Sequence, residues 1–257
     1  MAAATQRIRV GTAGVLLRYQ STLAVAEAFR ALDALYPGRI DAGIARGFAA
    51  PPFDAALADG RPAQYSVADH QQKLWELQGI LGERLPTSHP LAQVRLQPAP
   101  SMAGPPPFWV HSSSSDGAHI AAQLGAHYGF LELRDPHAGP AAIEHYRERF
   151  RPSPELQSPA WAVCVAGYCA DGDRDLGRAR LRFATELPAN RGYIAGTAAQ
   201  WRDELGALIE RYPTREVIIQ TPAGGFNVAE LAGSYARIAA VARSLVSSPP
   251  KALAAPV

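Results

Sequence analysis

Arg7-Ile-Arg-Val-Gly-Thr-Ala-Gly14 is followed by a run from Ser21 to Tyr36, and that run by Pro37-Gly-Arg-Ile-Asp-Ala-Gly-Ile-Ala-Arg-Gly47. Arg7 to Gly11 is short and apolar-alternating, the pattern of a strand. Ser21 to Tyr36 puts Leu23, Ala26, Phe29, Leu32 and Leu35 on one helical stripe, so it predicts a helix with that stripe inward. Pro37-Gly38 stops the helix, and Ile40 to Ala45 predicts a second strand. Strand, helix, strand is the unit that joins two parallel strands through a crossover.

The same alternation continues outward. Ser66 caps a helix running to about Leu81, with Leu74, Leu77 and Leu81 inward. Pro107-Phe-Trp-Val110 predicts a strand, and about Asp116 to Leu124 a helix. Tyr128 to Glu132 predicts a strand, and about Pro140 to Phe150 a helix. Ala160 to Tyr168 is almost wholly apolar, as strands covered on both faces are. Thr197-Ala-Ala-Gln200 is a capping box opening a helix with Trp201, Leu205, Leu208, Ile209 and Tyr212 on one side. Val217 to Ile219 predicts the last strand and Val228 to Val246 the last helix. These are about six βα units with parallel strands. They suit an open doubly wound sheet or a (β/α)8 barrel lacking two units. No break in composition divides residues 1–247, which are expected to form one domain. The Pro/Ala-rich stretch 84–106 reads as a long loop, and 248–257 as a disordered tail.

Composition excludes several functions. Of 257 residues, 47% are hydrophobic and 19% charged, so the chain is not intrinsically disordered. The net charge of +2, without a basic cluster, gives no grip on a nucleic-acid backbone. No apolar run is long enough to span a bilayer, and the first residues do not read as a signal peptide. Cys164 and Cys169 lie five residues apart on opposite faces of one strand, about 16 Å from each other, too far to pair. A reducing, cytoplasmic setting is expected.

In parallel α/β folds the chemistry gathers past the C-terminal ends of strands. Gly11-Thr-Ala-Gly14 follows the first strand, and its small residues let a flat ligand approach. Arg46, followed by Gly47, ends the second. His111-Ser-Ser-Ser-Ser-Asp-Gly117 follows the third and opens a helix. Hydroxyls and unpaired amides at a helix N-terminus favour an anion, and a guanidinium completes a phosphate cradle. Each feature also has a purely structural reading: turn geometry for the glycines, an ion pair for Arg46, capping for the serines. Metal-ligand spacings and a GxSxG elbow are lacking.

Three stretches resemble the bacterial luciferase-like flavin monooxygenases: Arg9 to Leu17, Ala24 to Leu35, and Tyr36 to Gly47 with its apolar-Asp-apolar-Gly-apolar-x-Arg-Gly ending. Pro107 to Ser115 with Ala121-Ala-Gln-Leu-Gly125, Tyr146 to Pro152 and Gly196 to Trp201 extend the likeness along the chain. The resemblance implies a TIM-type (β/α)8 barrel, here incomplete, because Met1 to Val10 matches the end of the family's second helix and the start of its third strand. It implies that Ala13 and Gly14 carry a non-proline cis peptide beside a flavin ring. It implies that Arg46, Ser113, Ser114 and Ser115 hold the flavin phosphate. The cofactor implied is FMN, reduced by a separate NAD(P)H-flavin reductase, with a deazaflavin as the family's other choice. The reaction implied is oxygenation of a small organic substrate by O2, in a homo- or heterodimer without nucleic-acid or membrane partners. The family's Glu-His-His segment has no counterpart here, so no catalytic residue is assigned. The rivals are a flavin-binding chain without turnover, one that needs a partner chain, and a phosphate-binding lyase or isomerase, for which Glu132 is the main strand-end carboxylate.

Overall fold

Strands and helices alternate along the residues that the computed structural model describes, 1–47, 51–58, 65–186, 192–214, 216–220 and 225–247. The tail expected at 248–257 lies outside the described residues. The chain divides into two compact units, residues 1–130 with 141–161 and residues 131–140 with 162–257.

The first unit is organised on β3 (Ile40–Ala45). The segment read as one first strand is two short ones, β1 (Val10–Gly11) and β2 (Val15–Leu16), and both pair parallel with β3. β3 pairs parallel with β4 (Phe108–Ser112), and β4 with β5 (His127–Leu131). α1 (Thr22–Leu35) and α3 (Val67–Leu81) pack against one another. The remaining helices of this unit are α2 (Pro51–Ala58), α4 (Ser115–Leu124) and α5 (Gly139–Arg149).

α1 turns differently from the expected stripe. Its buried side chains are Thr22, Val25, Ala26, Phe29, Arg30 and Asp33, whereas Leu32 and Leu35 are exposed. Those six positions are spaced i, i+3, i+4, i+7, i+8, i+11, one continuous helical face. Two of them are charged because each has a polar task at a chain turn. Arg30 donates to Leu81 O at 2.8 Å, where α3 ends, and faces Glu83 at 3.5 Å. Asp33 accepts from the amide of Gly38, whose φ is +69°. α3 begins as expected, with Ser66 and Asp69 capping each other and Leu74, Leu77 and Leu81 buried.

The second unit is built on β6 (Trp161–Cys169). Its N-terminal half pairs with β8 (Val217–Gln220) and its C-terminal half with β7 (Tyr193–Gly196), both parallel. Cys164, Ala166 and Tyr168 pack with Leu176, Ala179 and Phe183 of α6 (Asp173–Glu186). Trp201 of α7 (Ala198–Arg211) lies against Gly167 and donates its indole N–H to Tyr168 O at 3.1 Å. α8 (Val228–Ser247) closes the strand's end, because Ser234 Oγ accepts from the Cys169 amide and Arg237 donates to the Cys169 carbonyl. Both cysteines are buried and unpaired with each other.

The count of about six βα units is therefore corrected. The unit α6–β7 lies between the strand read at 160–168 and the helix read from Thr197. α6 is dense in charge, and β7 is four residues long and runs directly into the capping box, so neither stands out by periodicity. In α7 the box and the Trp201, Leu205, Leu208 and Tyr212 face are as expected, but Ile209 is exposed.

Phe183 is 1% exposed and stacks on Tyr193 at 4.6 Å, so it ties α6 to β7. Phe183→Ala is expected to cost about 3–5 kcal/mol in urea denaturation followed by circular dichroism. Leu181→Ala, on the exposed side of the same helix, is expected to stay within about 0.5 kcal/mol. Equal effects of the two would refute the packing described.

Candidate functional site

β1 and β2 are separated by Thr12, Ala13 and Gly14, which press onto β3. Thr12 Oγ1 donates to Gly43 O at 2.6 Å, and the Ala13–Gly14 peptide is cis, as the resemblance implied. A side chain at Gly14 would place its Cβ 2.8 Å from Gly43 O and 2.9 Å from the carbonyl carbon of Ile44. A Cβ at Gly43 would overlap the Thr12 carbonyl, and one at Gly11 would lie 2.6 Å from Asp41 Cβ. The small residues expected to make room for a flat ligand are required first by the contact of two strands.

Arg46 leaves the end of β3, and Gly47 follows it at φ +76°. The Arg46 charge acts on Tyr65 and His70. Tyr65 OH lies 3.0 Å from His70 Nδ1, with Arg18 6.0 Å and Lys73 5.6 Å from the Tyr65 ring. His70 is buried, and burial, then Arg46, then Lys73 bring its pKa down to about 4. Burial, with Asp69 adding to it, raises that of Tyr65. This cationic, aromatic corner was not among the expected site residues. A signal for it existed, since His70 shares the inward stripe of Leu74, Leu77 and Leu81.

β4 ends in the serine run. Ser112 Oγ and Ser114 Oγ are 3.0 Å apart, Ser112 Oγ accepts from the Ser114 amide, and Ser114 Oγ accepts from Gly117 N to cap α4. Ser113 is half-buried, while Ser114, Ser115 and Asp116 are exposed at the helix start. The register Ala45↔His111 sets Arg46 and the serine run at the ends of adjacent parallel strands. The structure thus brings the Thr12–Gly14 turn, Arg46 and Ser113–Ser115 to C-terminal strand ends of one unit, and it adds Tyr65 and His70 beside Arg46.

His111 opens the serine run from the end of β4. It is 4% exposed, and its ring covers the places where side chains at Gly43 and Gly129 on the flanking strands would stand. Burial alone lowers its pKa to about 4, so the ring is neutral near pH 7. Glu132 is held by Arg211 at 3.1 Å in the second unit, and burial raises its pKa. Among the described residues no group of three or more His, Cys, Asp or Glu could hold a metal, and no helix is long and apolar enough to cross a membrane.

Residues 1–242 match the family described as luciferase-like monooxygenase. The chain belongs to that family. A luciferase-like monooxygenase of Escherichia coli K12 is 34% identical over 68% of this chain and 50% of its own length. Among the first three curated relatives it matches, the chain covers 52%, 75% and 50% of their own lengths. The crystal structure of apo-MsnO8 superposes with a TM-score of 0.76 at 28% identity, over 93% of this chain and 79% of that one. By fold alone the chain also resembles two further solved structures. One is the FMN complex of the oxygenating constituent of 3,6-diketocamphane monooxygenase from a Pseudomonas putida plasmid, with a TM-score of 0.67 at 17% identity over 92% of this chain and 79% of that one. The other is an F420-dependent secondary alcohol dehydrogenase, with a TM-score of 0.61 at 16% identity over 92% and 81%. The fold class is the α/β TIM-type class expected from the sequence.

Two outcomes follow from the geometry of this site. Gly14→Val forces a branched side chain into the β3 backbone, so a loss of about 1–3 kcal/mol or more is expected in thermal melts, with or without a ligand. A variant as stable as the parent would refute that contact. His70 and His111 are neutral when folded and titrate near pH 6.5 when unfolded. Between about pH 6.5 and 4 the unfolded chain therefore binds more protons, and stability falls as pH falls. Each histidine contributes about 1.4 kcal/mol per pH unit inside that window. Urea midpoints at pH 7, 6 and 5 measure this, and flat midpoints would contradict it.

Proposed function

We propose that this chain carries the flavin site of a luciferase-like monooxygenase and that its cofactor is FMN. The observation that carries the reading is the set of three adjacent features at strand ends of one unit: the Thr12–Gly14 turn pressed onto β3, Arg46, and the serine-capped start of α4. In this reading Ala13 and Gly14 lie against the flavin ring. Arg46, Ser113, Ser114 and Ser115 hold the phosphate. The residues fit such a group. Ser114 is an exposed N-cap whose Oγ takes the Gly117 amide, so the start of this ten-residue helix presents the Ser115 and Asp116 positions and the positive end of the helix dipole to an anion. A charge-assisted contact from Arg46 adds to that.

Reduced FMN, when bound, supplies the electrons that let O2 oxygenate a small organic substrate. The chain's own part is to seat the flavin, turn its ring toward the substrate and limit water at the reacting edge. An NAD(P)H-flavin reductase delivers the reduced cofactor, and the working form is a homo- or heterodimer. His70 and His111 would enter the reaction as neutral imidazoles, able to donate or accept a proton without adding charge. The second reading is a chain that binds flavin but needs a partner chain for turnover.

Arg46→Ala is expected to weaken FMN binding about tenfold or more, from the loss of about 1.5–3 kcal/mol of charged hydrogen bonding. Riboflavin, which lacks the phosphate, is expected to lose far less. Fluorescence titrations with both, and with a deazaflavin, decide it. Equal losses for FMN and riboflavin would refute the phosphate assignment, and tighter deazaflavin binding would replace the cofactor. Substrate-dependent O2 uptake measured against H2O2 release separates turnover from binding alone.

A further inference from the structure

The chain has seven histidines, and most of them are already engaged. His70 is bonded to Tyr65, and His89 accepts from the Leu91 amide and faces Glu76 at 3.6 Å. His111 is buried between the flanking strands. His127 stacks on Trp109, and its Nδ1 is sealed from solvent. His137 stands exposed just before α5.

His119 and His145 differ from all of these. His119 lies on α4 and His145 on α5, both half-buried, and their ring centroids are 5.7 Å apart. The planes are tilted by 47°, so the rings are neither stacked nor edge to face. Among the described residues neither ring makes a hydrogen bond or an ion pair, and none of the four ring nitrogens is closed off from water. A neutral imidazole has one bare nitrogen, and its hydrogen-bond partner decides which one that is. Without a partner, each ring can offer the nitrogen that faces its neighbour.

One ion bound by two imidazoles at about 2.0–2.1 Å sets their centroids roughly 5–6 Å apart at tetrahedral or trigonal angles. The observed separation falls within that range. Imidazole nitrogen suits Zn²⁺, Cu²⁺ and Ni²⁺, whereas Mg²⁺ and Ca²⁺ take oxygen. Asp116 stands three residues before His119 and Glu148 three after His145, both exposed and each on the helical face of its histidine. Their two carboxylates favour a cation there, against the single opposing charge of Arg149 beside Glu148.

We propose that His119 and His145 together bind one late first-row divalent transition-metal ion, through one nitrogen each. Two protein ligands leave the coordination open, so water fills the rest. Because the ligands come from two helices, the ion ties α4 to α5. The site shares no residue with the proposed flavin site and does not rest on that reading.

The test uses the full chain without a polyhistidine tag, with Zn²⁺ in calorimetric titration and Cu²⁺ in electron paramagnetic resonance. One saturable Zn²⁺ site is expected, with two imidazole nitrogens on bound Cu²⁺. Zn²⁺ at about 100 times its Kd is expected to raise the thermal midpoint by about 5 °C or more, because it binds the folded chain. In the parent, Zn²⁺ is expected to shift the ¹⁵N resonances of His119 and His145 alone, which needs no variant. His119→Gln and His145→Gln are each expected to weaken Zn²⁺ about tenfold or more and to leave one nitrogen on Cu²⁺. His137→Gln is expected to change neither. The proposal is overturned by absence of saturable Zn²⁺ binding in the parent or by ¹⁵N shifts confined to other histidines. Unchanged binding in either variant of the pair, or lost binding in His137→Gln, overturns it equally.

Discussion

The first strand lies on β3 with no space between the two backbones, and the rest of the first unit follows from that contact. Gly11, Gly14 and Gly43 are the positions where it is closest, and a Cβ at any of them meets backbone or Cβ atoms across the interface. Thr12 ties the same place together through Gly43 O. Between β1 and β2, both paired with β3, the chain turns at Thr12–Gly14. That turn holds the cis peptide at Ala13–Gly14. The small residues of that turn are thus accounted for by backbone packing.

The same economy appears in the next layer. His111 spreads its ring over Gly43 on one side and Gly129 on the other, so a glycine contact made for β1 and β2 also accommodates a buried imidazole. Tyr65 and His70 approach Arg46 from the start of α3, whose own position is held by Arg30 at its far end. The polar residues inside this unit are therefore placed by helix ends and strand contacts, and their shifted ionisation follows from burial and from neighbouring cations.

In the second unit, one strand supports almost everything. β6 is buried along nearly its whole length because α6 covers one set of its side chains and Trp201 of α7 lies at Gly167 among the others. Its two halves pair with different strands, β8 and β7. The near-continuous apolar run at 160–168 announces such a strand directly. The short β7 carries no comparable signal, since four residues with mixed exposure look like the lead-in to the next helix.

Strand–helix alternation, the cap at Ser66, the capping box at Thr197, the buried leucines of α3 and the serine-capped start of α4 were legible in the sequence, because each depends on residues near one another in the chain. The residues proposed to hold a flavin were legible for the same reason, as small or polar residues just past apolar runs. What only the tertiary structure decided was which partner each residue meets. Arg30 and Asp33 turn inward where Leu32 and Leu35 were expected, since the ends of neighbouring elements need polar caps. Gly14 answers to Gly43, Arg46 acts on His70, and His127 lines a cavity formed from six separate stretches of chain. Periodicity records how a segment divides water from core. The groups that meet across that core are set by long-range packing, which no local pattern encodes.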